Sequence, residues 1–125
     1  YEGLYKQEGT GEYPLKVKKF YMEAGIMPSE KLKESPDYLC IELDFLVSLC
    51  LAEEELWRTS SSLEISRCLQ RQHQFMKDFL STWVFTYCAE AKKVAITDFY
   101  KGYLLFLEGI IQLEVKYLNE LSRTV

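Results

Sequence analysis

Apolar side chains recur three or four residues apart along this chain, in blocks divided by polar breaks. The clearest block follows Leu63. Ile65, Cys68, Leu69, Phe75, Met76, Phe79, Leu80 and Trp83 form one stripe at the period of an α-helix, with Gln72 in its middle and His73 at its edge. An earlier block, PDYLCIELDFLVSLCLAEEELW (residues 36–57), predicts a helix with Ser35 at the N-cap and Pro36 at its first position. Before it, LKVKKFYMEAG follows Pro14 and stops at Gly25, and IMPSEKLKES reads as a polar linker. RTSSS breaks the chain after the 36–57 helix, and one of its serines is expected to cap the next. The pattern weakens near Trp83, resumes to about residue 95, and restarts at Thr97 and Asp98 for a last helix reaching about Leu121. Val17–Phe20 and Val84–Tyr87 have strand-like composition, but each lies inside a helical block. The fold class is therefore all-α, a small bundle of four to five helices. Residues 1–13 hold three of the six glycines and are expected to form a loop packing Tyr1, Leu4, Tyr5 and Tyr13 on the bundle.

Composition narrows the function classes. A chain of 125 residues with 48% hydrophobic content suits one domain with its own core, residues 1–125. The formal net charge of −4 argues against a nucleic-acid surface. Glu42 and Asp44 interrupt the longest apolar run, so nothing reaches the roughly 18–20 residues needed for membrane insertion. The N-terminus lacks the basic and apolar regions of a secretory signal, and it begins without Met, which points to a processed or partial chain. Cys40, Cys50, Cys68 and Cys88 are too widely spaced for a zinc knuckle or a CxxC motif. In helical segments they read as reduced thiols of a cytoplasmic protein. A single histidine excludes the usual His-based zinc sites, and GTGEY lacks the GK[ST] of a phosphate loop. No constellation forms an active site, and no cofactor is expected.

The acids of the 36–57 helix remain. With each residue turned about 100° from the last, Glu42 falls inside the apolar stripe of Leu39, Leu46 and Leu49, whereas Asp44 and Ser48 face the opposite side. Asp37 lies in the first turn, where unpaired amides and the helix dipole favour an anion. Solvent accounts for Asp44, but a buried carboxylate at Glu42 needs a partner. Arg67, Arg71, a tyrosine hydroxyl or a backbone N–H group could serve, as could a cation brought by another molecule. Glu114 poses the same question on the apolar arc of Tyr103, Leu107, Ile110 and Leu118. Trp57 and Trp83 read as core anchors, or as groove walls at helix ends.

Three stretches in order resemble one family. PDYLCIELDFL is similar to the signature P-[DE]-D-H-[LI]-G-x-E-L-x-F of the TorD/DmsD/NarJ redox-enzyme maturation chaperones, matched at Asp37, Leu39, Glu42, Leu43 and Phe45. QFMKDFLSTWVFTY resembles the family's F-L-x-x-H-L-x-x-W-x-P-x-F, matched at Phe75, Leu80 and Trp83. YEGLY looks like its tyrosine-rich loop, and DFYKGYLLFLEGIIQLEVKYL like its final helix. The match spans nearly all of this chain but only about the C-terminal two-thirds of a family member, without the N-terminal helices. Tyr38 and Phe79 replace the two motif histidines, so proton-linked roles for those histidines do not carry over.

The resemblance implies a cytoplasmic, non-enzymatic chaperone of the apo form of a molybdoenzyme catalytic subunit, binding its N-terminal or twin-arginine leader peptide before export or assembly. On that basis Asp37 and Glu42 are the expected acidic elements of a peptide-binding site, with Tyr38 and Trp83 as wall residues. Carboxylates would hold the arginines through charge-assisted, bidentate bonds beside an apolar groove. The alternative is a helical interaction module whose exposed apolar surface is covered by homodimerisation or domain swapping.

Overall fold

The computed structural model describes residues 12–28, 35–59 and 61–121, so most of the expected N-terminal loop, residues 1–11, lies outside the described residues. Among them are five α-helices and no strand: α1 (Glu12–Ala24), α2 (Leu39–Thr59), α3 (Ser62–Asp78), α4 (Val84–Val94) and α5 (Asp98–Leu121). A single 3-10 turn, Leu80–Thr82, joins α3 to α4. Among the described residues no helix is long and apolar enough to cross a membrane.

The helix ends follow from local chemistry. Gly25 stops α1 at φ +73°, where its amide reaches the Met22 carbonyl at 3.0 Å and the Ile26 amide reaches Tyr21 at 3.1 Å. Glycine takes this left-handed geometry without a Cβ clash. Thr97 caps α5, accepting the Tyr100 amide on its hydroxyl at 3.2 Å. Ser61 occupies the N-cap of α3, but its hydroxyl makes no capping bond.

The α2 start differs from expectation. The helix begins at Leu39, three residues beyond Pro36, and the Ile41 and Glu42 amides both bond to the Tyr38 carbonyl. Ser35 is not the cap. Its hydroxyl donates to Asp37 Oδ1 at 2.6 Å and its carbonyl accepts the Tyr38 amide, closing a turn around Pro36. Serine and aspartate two residues apart can satisfy each other locally, and here that turn wins over a longer helix.

Packing has two centres. Phe20 and Tyr21 of α1 meet Phe45 of α2 and Phe75 of α3, with Tyr21–Phe45 centroids 4.5 Å apart and Phe45–Phe75 4.8 Å apart, edge-on. Offset and edge-to-face pairs add to the burial each ring already contributes. The second centre packs Leu104, Leu107, Ile111 and Leu118 of α5 against α3 and α4. Lys92 of α4 and Glu108 of α5 pair at 2.9 Å on its edge. Two expectations about apolar positions are corrected. Trp57 is 49% exposed rather than a core anchor. The arc expected to bury α5 is also too wide, because Tyr103 and Ile110 face solvent.

Candidate functional site

The Gly25 stop turns the chain so that Ile26, Met27 and Pro28 face the first half of α2. Between them lies a cleft of about 330 Å³, walled by Tyr21, Tyr38, Ile41 and Phe45, with Cys40, Asp44 and Ser48 along α2. The Tyr21 hydroxyl donates to the Pro36 carbonyl at 2.8 Å, tying the end of α1 to the turn that opens α2. The aromatic cluster beneath fixes the floor. This recess is therefore built on packed elements, as a pre-organised binding surface requires.

The residues singled out in the sequence divide around this cleft. Tyr38 lines it, half-buried. Asp37 is buried behind it in the 35–38 turn, bonded to the Ser35 hydroxyl. Glu42 is fully buried, and its Oε1 accepts the indole N–H of Trp83 at 3.3 Å. Trp83 is itself 1% exposed. Asp44, assigned to solvent, is exposed and is the one carboxylate among the described lining residues. The structure thus brings Glu42 and Trp83 together across 41 positions of sequence, with Tyr38 and Asp44 at the surface nearby.

Why Trp83 meets Glu42 follows from the break after α3. The Ser81 and Thr82 hydroxyls donate to the Met76 and Phe79 carbonyls, satisfying groups that the end of α3 leaves open. The 3-10 turn that results carries Trp83 inward, where it also packs edge-on against Tyr87 at 6.0 Å. An indole N–H in a core needs an acceptor and a buried carboxylate needs donors, so one bond serves both.

A second polar centre lies three turns further along the same face of α2. Glu53, only 6% exposed, accepts Gln72 Nε2 on one oxygen at 2.8 Å. Its other oxygen accepts Trp57 Nε1 at 2.8 Å and the Tyr117 hydroxyl at 2.6 Å. Sequence reasoning missed it, because AEEELWR reads as a solvated run. The signal was present, however. Glu53 follows Glu42 by 11 residues, which places it within about 20° of Glu42 round the helix.

Around Glu53 burial works against the charged forms of the neighbouring thiols, of Glu114 and of Tyr117. Burial first, and then the charges of Glu114 and Glu53, push the Cys50 thiol up to about 12. Burial and Glu53 also hold the Glu114 carboxyl above the ordinary carboxylate range. Burial and the bond to Glu53 raise Tyr117, so its phenol stays protonated and donates. A thiol held protonated is a poor nucleophile. This centre joins α2, α3 and α5 and has the chemistry of a structural clasp.

Comparison with known proteins agrees with the resemblance in the motifs. The family model described as "Nitrate reductase delta subunit" matches residues 1–89. Curated proteins named "Chaperone protein TorD" are similar along most of this chain. That of Vibrio parahaemolyticus is 26% identical over 102 residues, covering 82% of this chain and 46% of the relative. That of Vibrio cholerae is 24% identical over 123 residues, covering 97% and 54%. That of Vibrio atlanticus is 29% identical over 93 residues, covering 74% and 42%. The chain spans about half the length of the curated relatives it matches. No solved structure matches significantly.

Proposed function

Because the chain belongs to the nitrate reductase delta subunit family, we propose that it is the helical part of a cytoplasmic maturation chaperone, and that the cleft between α1 and α2 receives the leader peptide of a molybdoenzyme subunit. The observation that carries this reading is the composition of the cleft: an apolar recess with Asp44 as its acid. A leader of adjacent arginines followed by an apolar segment offers the complementary chemistry. One guanidinium would pair with the Asp44 carboxylate, and the apolar segment would lie against Tyr38, Ile41 and Met27. The domain acts as one unit over residues 1–125. In this proposal Asp37, Glu42 and Trp83 belong to the peptide-binding region by positioning the α2 start and its wall. Tyr38 makes direct contact. Kinship to relatives named chaperones supports a non-catalytic role.

The test is calorimetric titration of a synthetic peptide carrying two adjacent arginines and an apolar stretch. Asp44→Asn should weaken binding about tenfold at low salt, the loss of one charge-assisted contact. Its thermal midpoint should stay unchanged, since Asp44 is exposed. Tyr38→Ala should weaken binding at all salt concentrations, and replacing both peptide arginines by glutamine should act like Asp44→Asn. Equal affinity of wild type and both variants would remove the cleft from the reading. A peptide that wild type does not bind would remove the leader.

A further inference from the structure

Helix α5 carries a second apolar face that its own bundle does not use. Phe99, Tyr103, Phe106, Ile110, Leu113 and Tyr117 follow one another at spacings of 4, 3, 4, 3 and 4. This is the a/d pattern of a coiled-coil seam, distinct from the buried set Leu104, Leu107, Ile111 and Leu118. All six are exposed, Phe99 by 80%, Phe106 by 66% and Leu113 by 67%. Tyr117 anchors its hydroxyl on Glu53 and still presents its ring. Gly102 and Gly109 lie on the flank of the stripe, seven residues apart. A Cβ at either would meet nothing within 4 Å, so packing inside the chain does not require them.

From this pattern we infer that α5 is the interface of a twofold homodimer, pairing antiparallel with α5 of a second copy; the inference is independent of the chaperone reading. In that arrangement Phe99 faces Tyr117 of the second copy, Tyr103 faces Leu113, and Phe106 faces Ile110. Every layer of the seam is thereby filled by apolar side chains, and no polar residue interrupts it. Four of the six layers match an aromatic ring with a smaller aliphatic group, which packs more evenly than the ring-on-ring layers of a parallel pair. Antiparallel pairing also sets the two helix dipoles head to tail. It brings Gly109 beside Gly109 of the second copy at the axis, where the missing side chains let the helices approach closely. The six side chains leave on the order of 600 Å² exposed per copy, so a twofold contact would bury roughly the area of a standard specific interface.

Sedimentation equilibrium of the 125-residue chain across roughly 1–200 µM, a span that brackets a micromolar dimer, tests this. The expected result is a shift from the 14.7 kDa chain mass towards twice that value. Phe106→Glu, at an exposed position, should fold by circular dichroism and weaken association about 100-fold or more. In a Cys40→Ser background, Gly109→Cys should form an intermolecular disulfide under mild oxidation, because only the antiparallel pairing places residue 109 beside itself. A chain that stays monomeric throughout overturns the inference, whether the face serves a client peptide or another helical segment instead. So does a dimer that Phe106→Glu leaves intact, or a dimer in which Gly109→Cys does not cross-link.

Discussion

Glu42 and Glu53 lie on the same face of α2, three turns apart, and both are buried. Their surroundings differ. Glu53 takes one bond from its own helix, one from α3 and one from α5, so a single carboxylate joins three elements. Glu42 takes the indole of Trp83, fixing where the chain turns between α3 and α4, directly behind the cleft. One acid is a clasp across the bundle and the other a positioning group beside a recess. Burial alone does not separate these roles; the origin of the donors does.

Replacing Glu53 by glutamine should have the largest effect. The amide keeps one good acceptor for three donors and sets an NH₂ group against at least one of them, so a loss of about 3 kcal/mol in urea unfolding is expected. Peptide binding by the folded fraction should be retained. A loss below about 1 kcal/mol would mean that the three bonds do not hold the helices together. Trp83→Phe should come next. It keeps the ring in the core but removes the donor to Glu42 and leaves space, at a cost of about 2 kcal/mol. Here peptide affinity should fall as well, because the α2 wall loses its support. If Trp83→Phe changes stability but not affinity, the contrast between the two carboxylates collapses and both are clasps.

The bundle was legible because its signals are local. Gly25, Thr97 and the 65–83 stripe each act within a turn or two of chain, and α1, α3 and α5 end or begin close to where those residues indicate. The start of α2 was read too early, since choosing between Ser35 as a cap and Ser35 as the partner of Asp37 depends on a turn that propensity does not resolve. The site was half legible. Periodicity singled out Glu42 as buried, yet its partner stands 41 residues away behind a helix break. Glu53 was hidden by its neighbours Glu54 and Glu55, which face solvent and make the whole run look solvated. Asp44 was placed correctly on the outer face. That a recess lies beside it depends on where residues 26–28 pass, and no periodicity carries that information.

The smallest effect tests the clasp through its electrostatics. Glu114 is half-buried near Glu53, and burial followed by that neighbouring charge holds its carboxyl above the ordinary value of 4.5. A carboxyl raised in the folded state binds a proton that the unfolded chain has already released. Between the two values, stability therefore falls as pH rises, and the penalty persists above the folded value. Below about 4.5 both states are protonated and the group contributes nothing. Glu114→Gln removes this penalty, so the variant should unfold slightly later than wild type at pH 8, by roughly 1–3 °C. Near pH 5 the gain should be smaller, since less of the penalty has developed there. The sign opposes that of Glu53→Gln although the two acids are neighbours, because one is supplied with three donors and the other chiefly with a weak thiol contact from Cys50 at 4.0 Å. Thermal unfolding of both chains at the two pH values checks it. A gain larger at pH 5 would show that Glu114 is stabilised as an anion and that the clasp extends to it, and a gain equal at both would show that its ionisation carries no penalty.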